Sequence, residues 1–565
     1  MKKLPFLGLA VLAGVLAVGC ADPHATEVYV NGRIWTANPD EPWAEAMAVR
    51  GEYIIYMGSA EAAEGIRGDA TQIVDLDGAF VMPGFIDNHT HFLQGGFNLA
   101  SVQLRDAATP EAFIRRLAAY AETLPEGQWI LGGDWDHEAW GGELPDRAWI
   151  DSVTARNPVF VQRLDGHMGL ANSLALDMAG VDSSAVNPVG GTIVRRGAVS
   201  GAADGAGVPT GILKDDAMNL IWNVVPPPSL DERLQMLRRA QEHAISLGVT
   251  QIHDVGSYGG WEDLEAFRAA ERRRWLKLRI YSHVPLSSWR DMEDFVEEHD
   301  WGSRRVWWGG LKGMVDGSLG STTALFHEPY LDEPDTRGLV VTDTVAMRSD
   351  ILGAYGAGLH LSVHAIGDKA NDWLLDVFAQ ARAVTAGSMR QVLRIEHAQH
   401  LTPEAIGRFN DLGVVPSMQP YHAIDDGRWA ASRIGDRIRT TYAFRSLLDA
   451  GAGLTFGSDW TVAPLNPLLG VYAAATRRTL DGANPDGWVP EEKISVEEAL
   501  VAYTRAAAAA GRSSAFSGVL EAGRLADFVV LSANLLEIDP VDIPDVRVVR
   551  TVIGGESVYE WGGEH

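Results

Sequence analysis

The sequence predicts an α/β chain: a (β/α)8 TIM barrel, a composite β-sandwich made by its two ends, and a cap subdomain inserted into the barrel. Two observations carry the barrel. Strand-like apolar runs alternate with amphipathic helical segments from Ser229 onward, and with the run at Phe80–Asp87 the strands number eight. The histidines, lysine and aspartate that could carry chemistry stand at the ends of those runs, where such barrels keep their sites.

The first strand is expected in Phe80–Phe92, FVMPGFIDNHTHF, an apolar stretch that ends in Asp87-Asn88-His89-Thr90-His91. Side chains alternate faces along a strand, so His89 and His91 point the same way and leave its tip side by side, as metal ligands would. Alone the pair is weak. With 16 histidines in 565 residues, an H-x-H arises by chance in roughly one such chain in two or three. Leu93–Pro228 then separates the first strand from the second. Barrel connections are normally a few residues, so this is an inserted subdomain, with a helix at Pro110–Ala121, apolar runs at Trp129–Leu131 and Val159–Val161, and Gly-rich turns in Gly190–Gly207. Because it follows the C-terminal end of the first strand, it is expected to hang over the barrel mouth as a cap.

The alternation proper starts with helical periodicity over Asp231–Leu247, stopped by Gly248. Strands follow at Val249–Val255, Leu278–Val284, Trp307–Val315, Leu359–His364, Val392–His397, Val414–Met418 and Leu454–Ser458. The helices between them fall at Trp261–Arg274, Trp289–Glu298, Val345–Tyr355, Asn371–Val384, Pro403–Leu412 and Arg437–Ala450. Outside the barrel, Glu27–Ile34, Glu45–Met57 and Thr71–Leu76 surround hairpin signals at Asn31-Gly32 and Arg50-Gly51. The same texture returns at Asp527–Leu531 and Val546–Val558. The expected division is a signal peptide over 1–20, sandwich segments over 21–79 and 515–565, the first barrel strand over 80–92, the cap over 93–228, and the rest of the barrel over 229–514.

A net charge of −28 argues against nucleic acid or an anionic membrane surface as partner. The N-terminus reads as an export signal: Lys2 and Lys3 precede the apolar stretch Phe6–Val18, too short to span a membrane comfortably. Leu16-Ala17-Val18-Gly19-Cys20 resembles a bacterial lipobox. Cys20 is the single cysteine, so an intrachain disulfide is impossible and the residue reads as lipidated. The mature protein is expected on the cell envelope, on the periplasmic side, touching the membrane only through that anchor.

The strand tips carry His89 and His91 on the first strand, Lys312 on the fourth, His364 on the fifth, His397 on the sixth and Asp459 on the eighth. Other histidines take the plainer reading. His253, His283 and His400 are expected to be hydrogen-bonded structural residues, and most of the 18 tryptophans are core or interface.

The segments PGFIDNHTH, GLKGMVDGSLGSTTAL, SVHAIGDKA, RIEHAQH and FGSDW resemble the amidohydrolase superfamily, specifically its YtcJ-like branch, which includes N-substituted formamide deformylases. The terminal SGVLEAGRLADFVVL and VRTVIGGESVYE resemble the composite sandwich domain of that superfamily. The resemblance implies one or two divalent ions at the barrel mouth, most often Zn²⁺. His89 and His91 would hold the more buried ion and His364 and His397 the other, with Asp459 completing the first site. Lys312, carboxylated on its amine, would bridge them; the alternative is an unmodified lysine beside a single ion. The resemblance also points to His167 in the cap (RLDGHMGLANS) as a substrate contact. Asp316, four residues after Lys312 in a Gly-rich loop, is a candidate either for contacting substrate or for supporting the ligands from behind, and Trp135, Asp136 and Gln419 are further candidates for lining the pocket.

The function so implied is metal-dependent hydrolysis of a non-peptide, linear amide C–N bond in a small molecule. The metal activates water, and Asp459 acts as catalytic proton shuttle. A cyclic amide, imine or ester is the alternative on the same site, and a non-catalytic envelope lipoprotein the alternative of another class.

Overall fold

The computed structural model describes residues 24–562 except 165, 167, 189–190, 198–206 and 385–390, so the signal segment, Cys20 and His167 lie outside the described residues. Eight parallel strands form the central sheet: β1 (Phe85–Thr90), β2 (Val249–Asp254), β3 (Arg279–Pro285), β4 (Val306–Met314), β5 (His360–Ala365), β6 (Leu393–His397), β7 (Val414–Met418) and β8 (Thr455–Phe456). They pair in chain order. The circle closes where Thr90 makes a parallel bridge to Trp460 and the Asp459 N–H donates to the His89 carbonyl at 2.8 Å. Gly457 permits that closure, because a Cβ there would stand 2.6 Å from the His89 nitrogen.

The run at Phe80–Thr90 is two strands rather than one. Phe80–Pro83 pairs antiparallel with Phe528–Leu531 and parallel with Arg33–Ile34, in the sandwich, and only Phe85–Thr90 enters the barrel. Pro83 has no N–H to continue a ladder, and Gly84 passes so close to Thr250 that a Cβ would lie 2.1 Å from its Cγ2. The sandwich itself joins this six-stranded sheet to a four-stranded one from the N-terminal segment. Tyr29, Met47, Val81, Phe528 and Val552 fill the space between them.

The predicted helix over Arg437–Ala450 is also split, into a 3-10 turn at Gly435–Thr440 and a helix at Phe444–Asp449. The buried Arg477 guanidinium takes the Tyr442 carbonyl at 2.9 Å and the Thr441 carbonyl at 3.3 Å, and the Tyr442 N–H donates to Gln399 at 2.7 Å. Those three bonds hold Tyr442 at φ 50° and stop the helix. The first barrel helix, Leu230–Ser246, starts with a complete capping box between Ser229 and Glu232.

The insertion leaves the barrel through a helix at Phe92–Asn98, which packs on Leu230–Ser246 closely enough that Gly96 abuts the Met236 carbonyl. It then builds a six-stranded mixed sheet of its own, Val102–Gln103 to Val208–Asp215, with the helix Pro110–Ala121 burying Phe113 and Leu117 against it. Arg105 fastens the insertion to the mouth by donating to the carbonyls of Thr461 and Val462, just past β8. Among the described residues no helix is long and apolar enough to cross a membrane.

Candidate metal centre

A cavity of about 1700 Å³ opens at the C-terminal ends of the strands, with Arg105, Asp136, Arg163 and Asp215 of the insertion on one side and the strand tips beneath. At its floor the ligand-bearing atoms of His89, His397 and Asp459 all lie within 4.8 Å of one another. His91 and Lys312 join them. Asp459 Oδ1 is 3.4 Å from Nε2 of both His89 and His91, and Lys312 Nζ is 3.2 Å from His89 Nε2. The His364 ring stands 4.5 Å from that of His397. All six strand-tip residues named from the sequence therefore meet at one place.

Their outer contacts fix which nitrogen faces inward. His89 Nδ1 lies 2.6 Å from Glu396 Oε2, a carboxylate that also accepts from Arg394 and Ser417 and so can only receive the imidazole proton. His91 Nδ1 faces the Gly256 carbonyl at 2.6 Å. His397 Nδ1 faces Gln419 Oε1 at 2.7 Å, and the Gln419 amide nitrogen is held by the Ser417 carbonyl at 3.2 Å, which orients the oxygen toward the ring. Each of these three rings thus carries its proton on Nδ1 and keeps a lone pair on Nε2. In His364 the pattern reverses, since Nε2 donates to the Gly317 carbonyl at 3.1 Å and leaves Nδ1 as the donor atom.

Electrostatics suit a cation. Burial, followed by the Lys312 charge, pushes His89 down to about 4, and burial with the neighbouring His364 takes His397 well below the usual histidine value. Both rings are therefore neutral ligands at neutral pH. Burial opposes ionisation of Asp459, but in the acid range where it titrates the positive charge taken up by the imidazoles around it, His89 first, outweighs burial and holds the carboxyl well below the usual carboxylate range. Its Oδ1 is buried without a hydrogen-bond partner, an orphaned anion oxygen among imidazole lone pairs. That donor set fits a divalent ion.

The candidate pocket residues divide. Asp136 does line the cavity, with Arg163 NH2 at 3.1 Å. Two expectations are corrected, and for Asp316 one of two open roles is selected. Trp135 is fully buried in the core of the insertion, its indole donating to the Val161 carbonyl at 2.9 Å, so it cannot reach a substrate. Gln419, also fully buried, orients His397 instead of lining the pocket. Asp316 accepts from the backbone N–H groups of Leu325, Ile366 and Gly367 at 2.8–2.9 Å and is fully buried. It therefore takes the supporting role, pinning the loop after β4 to the end of β5 with Oδ1 3.6 Å from His364 Nε2. His253, His283 and His400 are buried and hydrogen-bonded to Arg394, Ser362 and Thr441 respectively.

Two residues of the site are absent from the sequence reading. Glu396 orients His89 from inside the barrel. His422, on the helix Pro420–Asp426 that follows β7, places Nε2 3.9 Å from Asp459 Oδ2, and that nitrogen is buried without a partner. A strand-tip search misses His422 because it stands beyond the tip, on the next helix. Glu396 did leave a signal: a charged residue alternating with apolar ones on a strand buried on both sides.

The amidohydrolase family model matches residues 72–559. Over 540 residues the chain is 39% identical to the Arabidopsis thaliana protein LONG AFTER FAR-RED 3, covering 94% of this chain and 91% of that one. It is 30% identical to the putative amidohydrolase YtcJ of Bacillus subtilis, covering 94% and 99%. With the N-substituted formamide deformylase of Arthrobacter pascens it shares 27% identity, covering 94% and 98%. Among solved structures, a metal-dependent hydrolase of Pyrococcus horikoshii superposes with a TM-score of 0.74 at 28% identity, over 91% of this chain and 99% of that one. The barrel, its convergent imidazoles and a family match over most of the chain lead to one conclusion: the chain belongs to the amidohydrolase family and is a hydrolase of the metal-dependent amidohydrolase superfamily.

Proposed function

We propose that the protein hydrolyses a non-peptide, linear amide C–N bond in a small molecule, with Asp459 carrying the proton. The observation that supports this best is the buried, partnerless Asp459 Oδ1 facing the Nε2 lone pairs of His89 and His91. His89, His91 and Asp459 would hold one divalent ion and His364 and His397 a second, with Lys312 as a bridging carbamate. A divalent ion held there polarises a carbonyl and lowers the pKa of water toward ~7. The chain's own part is positional and protolytic. Glu396, Gln419 and the Gly256 carbonyl fix the imidazoles, while the ionised Asp459 accepts a proton from the attacking water and delivers it to the departing nitrogen. The name of the deformylase relative supports an amide substrate.

Metal content of the purified protein, followed by a panel of linear amides, cyclic amides and esters with and without chelator, tests this reading. Linear amides are expected to be hydrolysed, the activity to vanish on chelation and to return with Zn²⁺. Undiminished turnover after complete metal removal would refute the metal reading, and turnover confined to esters or cyclic amides would move the bond.

For location, we infer a lipid anchor at Cys20, on the strength of the signal and lipobox pattern. Cys20→Ser is expected to leave the protein unprocessed or to release it from the membrane fraction. Wild-type protein already soluble in the periplasm would end that inference.

A further inference from the structure

We propose that the site takes an N-acyl compound with an apolar acyl group and a polar amine portion, the acyl group lying over β3 and β4. This rests on the hydrolase reading above and adds to it which half of the substrate goes where.

In an eight-stranded barrel, strands four apart face each other across the axis, so β4 and β8 stand on opposite sides of the mouth. The β4 side carries an apolar band above Lys312, among the hydroxyls of Ser287, Ser318, Thr323 and Thr342. Met314 shares the strand face of Lys312 one alternation nearer the mouth, and it is 39% exposed. Lys312 pairs with Pro285 of β3, and the next residue, Leu286, also lines the cavity. Above them runs the strap Leu339-Val340-Val341. It is held by Leu339 N–H to the Thr323 carbonyl at 3.2 Å, a bridge from Val340 to Asp316, and Val341 N–H to the Val315 carbonyl at 3.0 Å. The three residues are 42–44% exposed, and all three line the cavity. Exposed apolar residues scattered singly are ordinary. Leu339 and Val341 share one face of the extended strap, and with Met314 they line the same side of the cavity, on backbone anchored at Asp316, as a surface that an apolar ligand covers.

The β7–β8 side is polar. Asp459 and His422 stand there, with Asp425 and Arg428 on the chain after β7. Arg105 adds a cation whose guanidinium is tied to the carbonyls just past β8. The position of Asp459 sets the orientation. In hydrolysis the C–N bond breaks and a C–O bond forms. Water supplies the oxygen, one of its protons passes through Asp459 to the nitrogen, and the products are an amine and a carboxylic acid, whose remaining proton goes to the amine or to solvent at neutral pH. The departing nitrogen must therefore face β8, which places the amine half against the charged wall and the acyl half against the apolar one.

Two matched series test this on the metal-loaded protein: acetyl, hexanoyl and decanoyl amides of one polar amine, and acetamides of amines of the same lengths. kcat/KM is expected to rise with acyl length by up to about four-fold per methylene while the wall is being covered, and not with amine length. The double variant Leu339→Ser/Val341→Ser, on an exposed strap, is expected to flatten the acyl slope. Calorimetric titration of acetate, hexanoate and decanoate into metal-depleted protein gives a readout independent of turnover, and affinity should increase along that series. A rate that climbs with amine length, or alkanoate binding indifferent to chain length, overturns the proposal. If no amide is turned over but decanoate still binds more tightly than acetate, the hydrolase reading fails while the apolar wall stands.

Discussion

Lys312→Ala is expected to lose most of the bound metal and to lower kcat/KM by at least ~10²-fold, since even outer-sphere partners of a metal site cost 10–100-fold. Part of both losses should return with a small carboxylic acid such as formate or acetate. The Lys312 amine ends 3.2 Å from His89 Nε2, close to the Asp459 carboxylate, and burial lowers its pKa while Glu396 and Asp459 pull the other way. An ammonium there would repel any cation bound by the imidazoles. A neutral amine can instead add CO2, releasing a proton, and the resulting carbamate is an anionic oxygen ligand. The alanine variant leaves room where an added carboxylate can supply the missing oxygens. Lys312→Arg, which keeps the charge but forms no carbamate, should not be rescued. Metal content by mass spectrometry, read beside activity, separates the cases, and an alanine variant with full metal loading shows that Lys312 is no ligand.

Much of this was legible in the sequence because barrels impose a regular grammar. Alternating elements give the strand count, and strand ends give the site. Pro403–Leu412 and Val414–Met418 have the predicted bounds, and the insertion contributes Arg105 and Asp136 to the mouth, as a cap should. What escaped was set by contacts between distant segments. Phe80–Pro83 is as apolar as a barrel strand, and only its partner Phe528–Leu531, more than 400 residues away, assigns it to the sandwich. The roles of Gln419 and Asp316 depend on which polar groups lie opposite them, which no local pattern records. His397 is instructive in another way. Strand parity puts Arg394 and Glu396 inside the barrel, where they bond to each other, and would turn His397 outward with Ile395. It reaches the site because φ is 73° at His397 and 44° at Ala398, breaking the strand at its last residue. The motif located the histidine correctly, but backbone strain, not alternation, delivers it.

Asp459→Asn is expected to fold, to keep at least the metal held by His364 and His397, and to lose kcat by roughly 10²–10⁴, the usual worth of general acid–base assistance. The fold should tolerate it. Asp459 sits at φ 58°, a conformation asparagine adopts readily, and its backbone N–H, bound to the His89 carbonyl, is untouched by the change. The chemistry should not. The carboxyl is held well below the usual carboxylate range by the charge the surrounding imidazoles take up in acid, so it is ionised at neutral pH and able to accept a proton, whereas an amide can do neither. Activity that depends on the ionised form is lost as pH falls through its folded-state pKa, which lies on the acid side of an ordinary aspartate. A loss of activity nearer neutrality therefore has another origin, such as protons competing with metal for the imidazoles. For that reason a pH profile cannot assign the role, and the measurement that does is kcat of the asparagine variant at matched metal occupancy. An unchanged kcat would move proton transfer to another group, and the buried Nε2 of His422, 3.9 Å from Asp459 Oδ2, is the neighbour placed to take it.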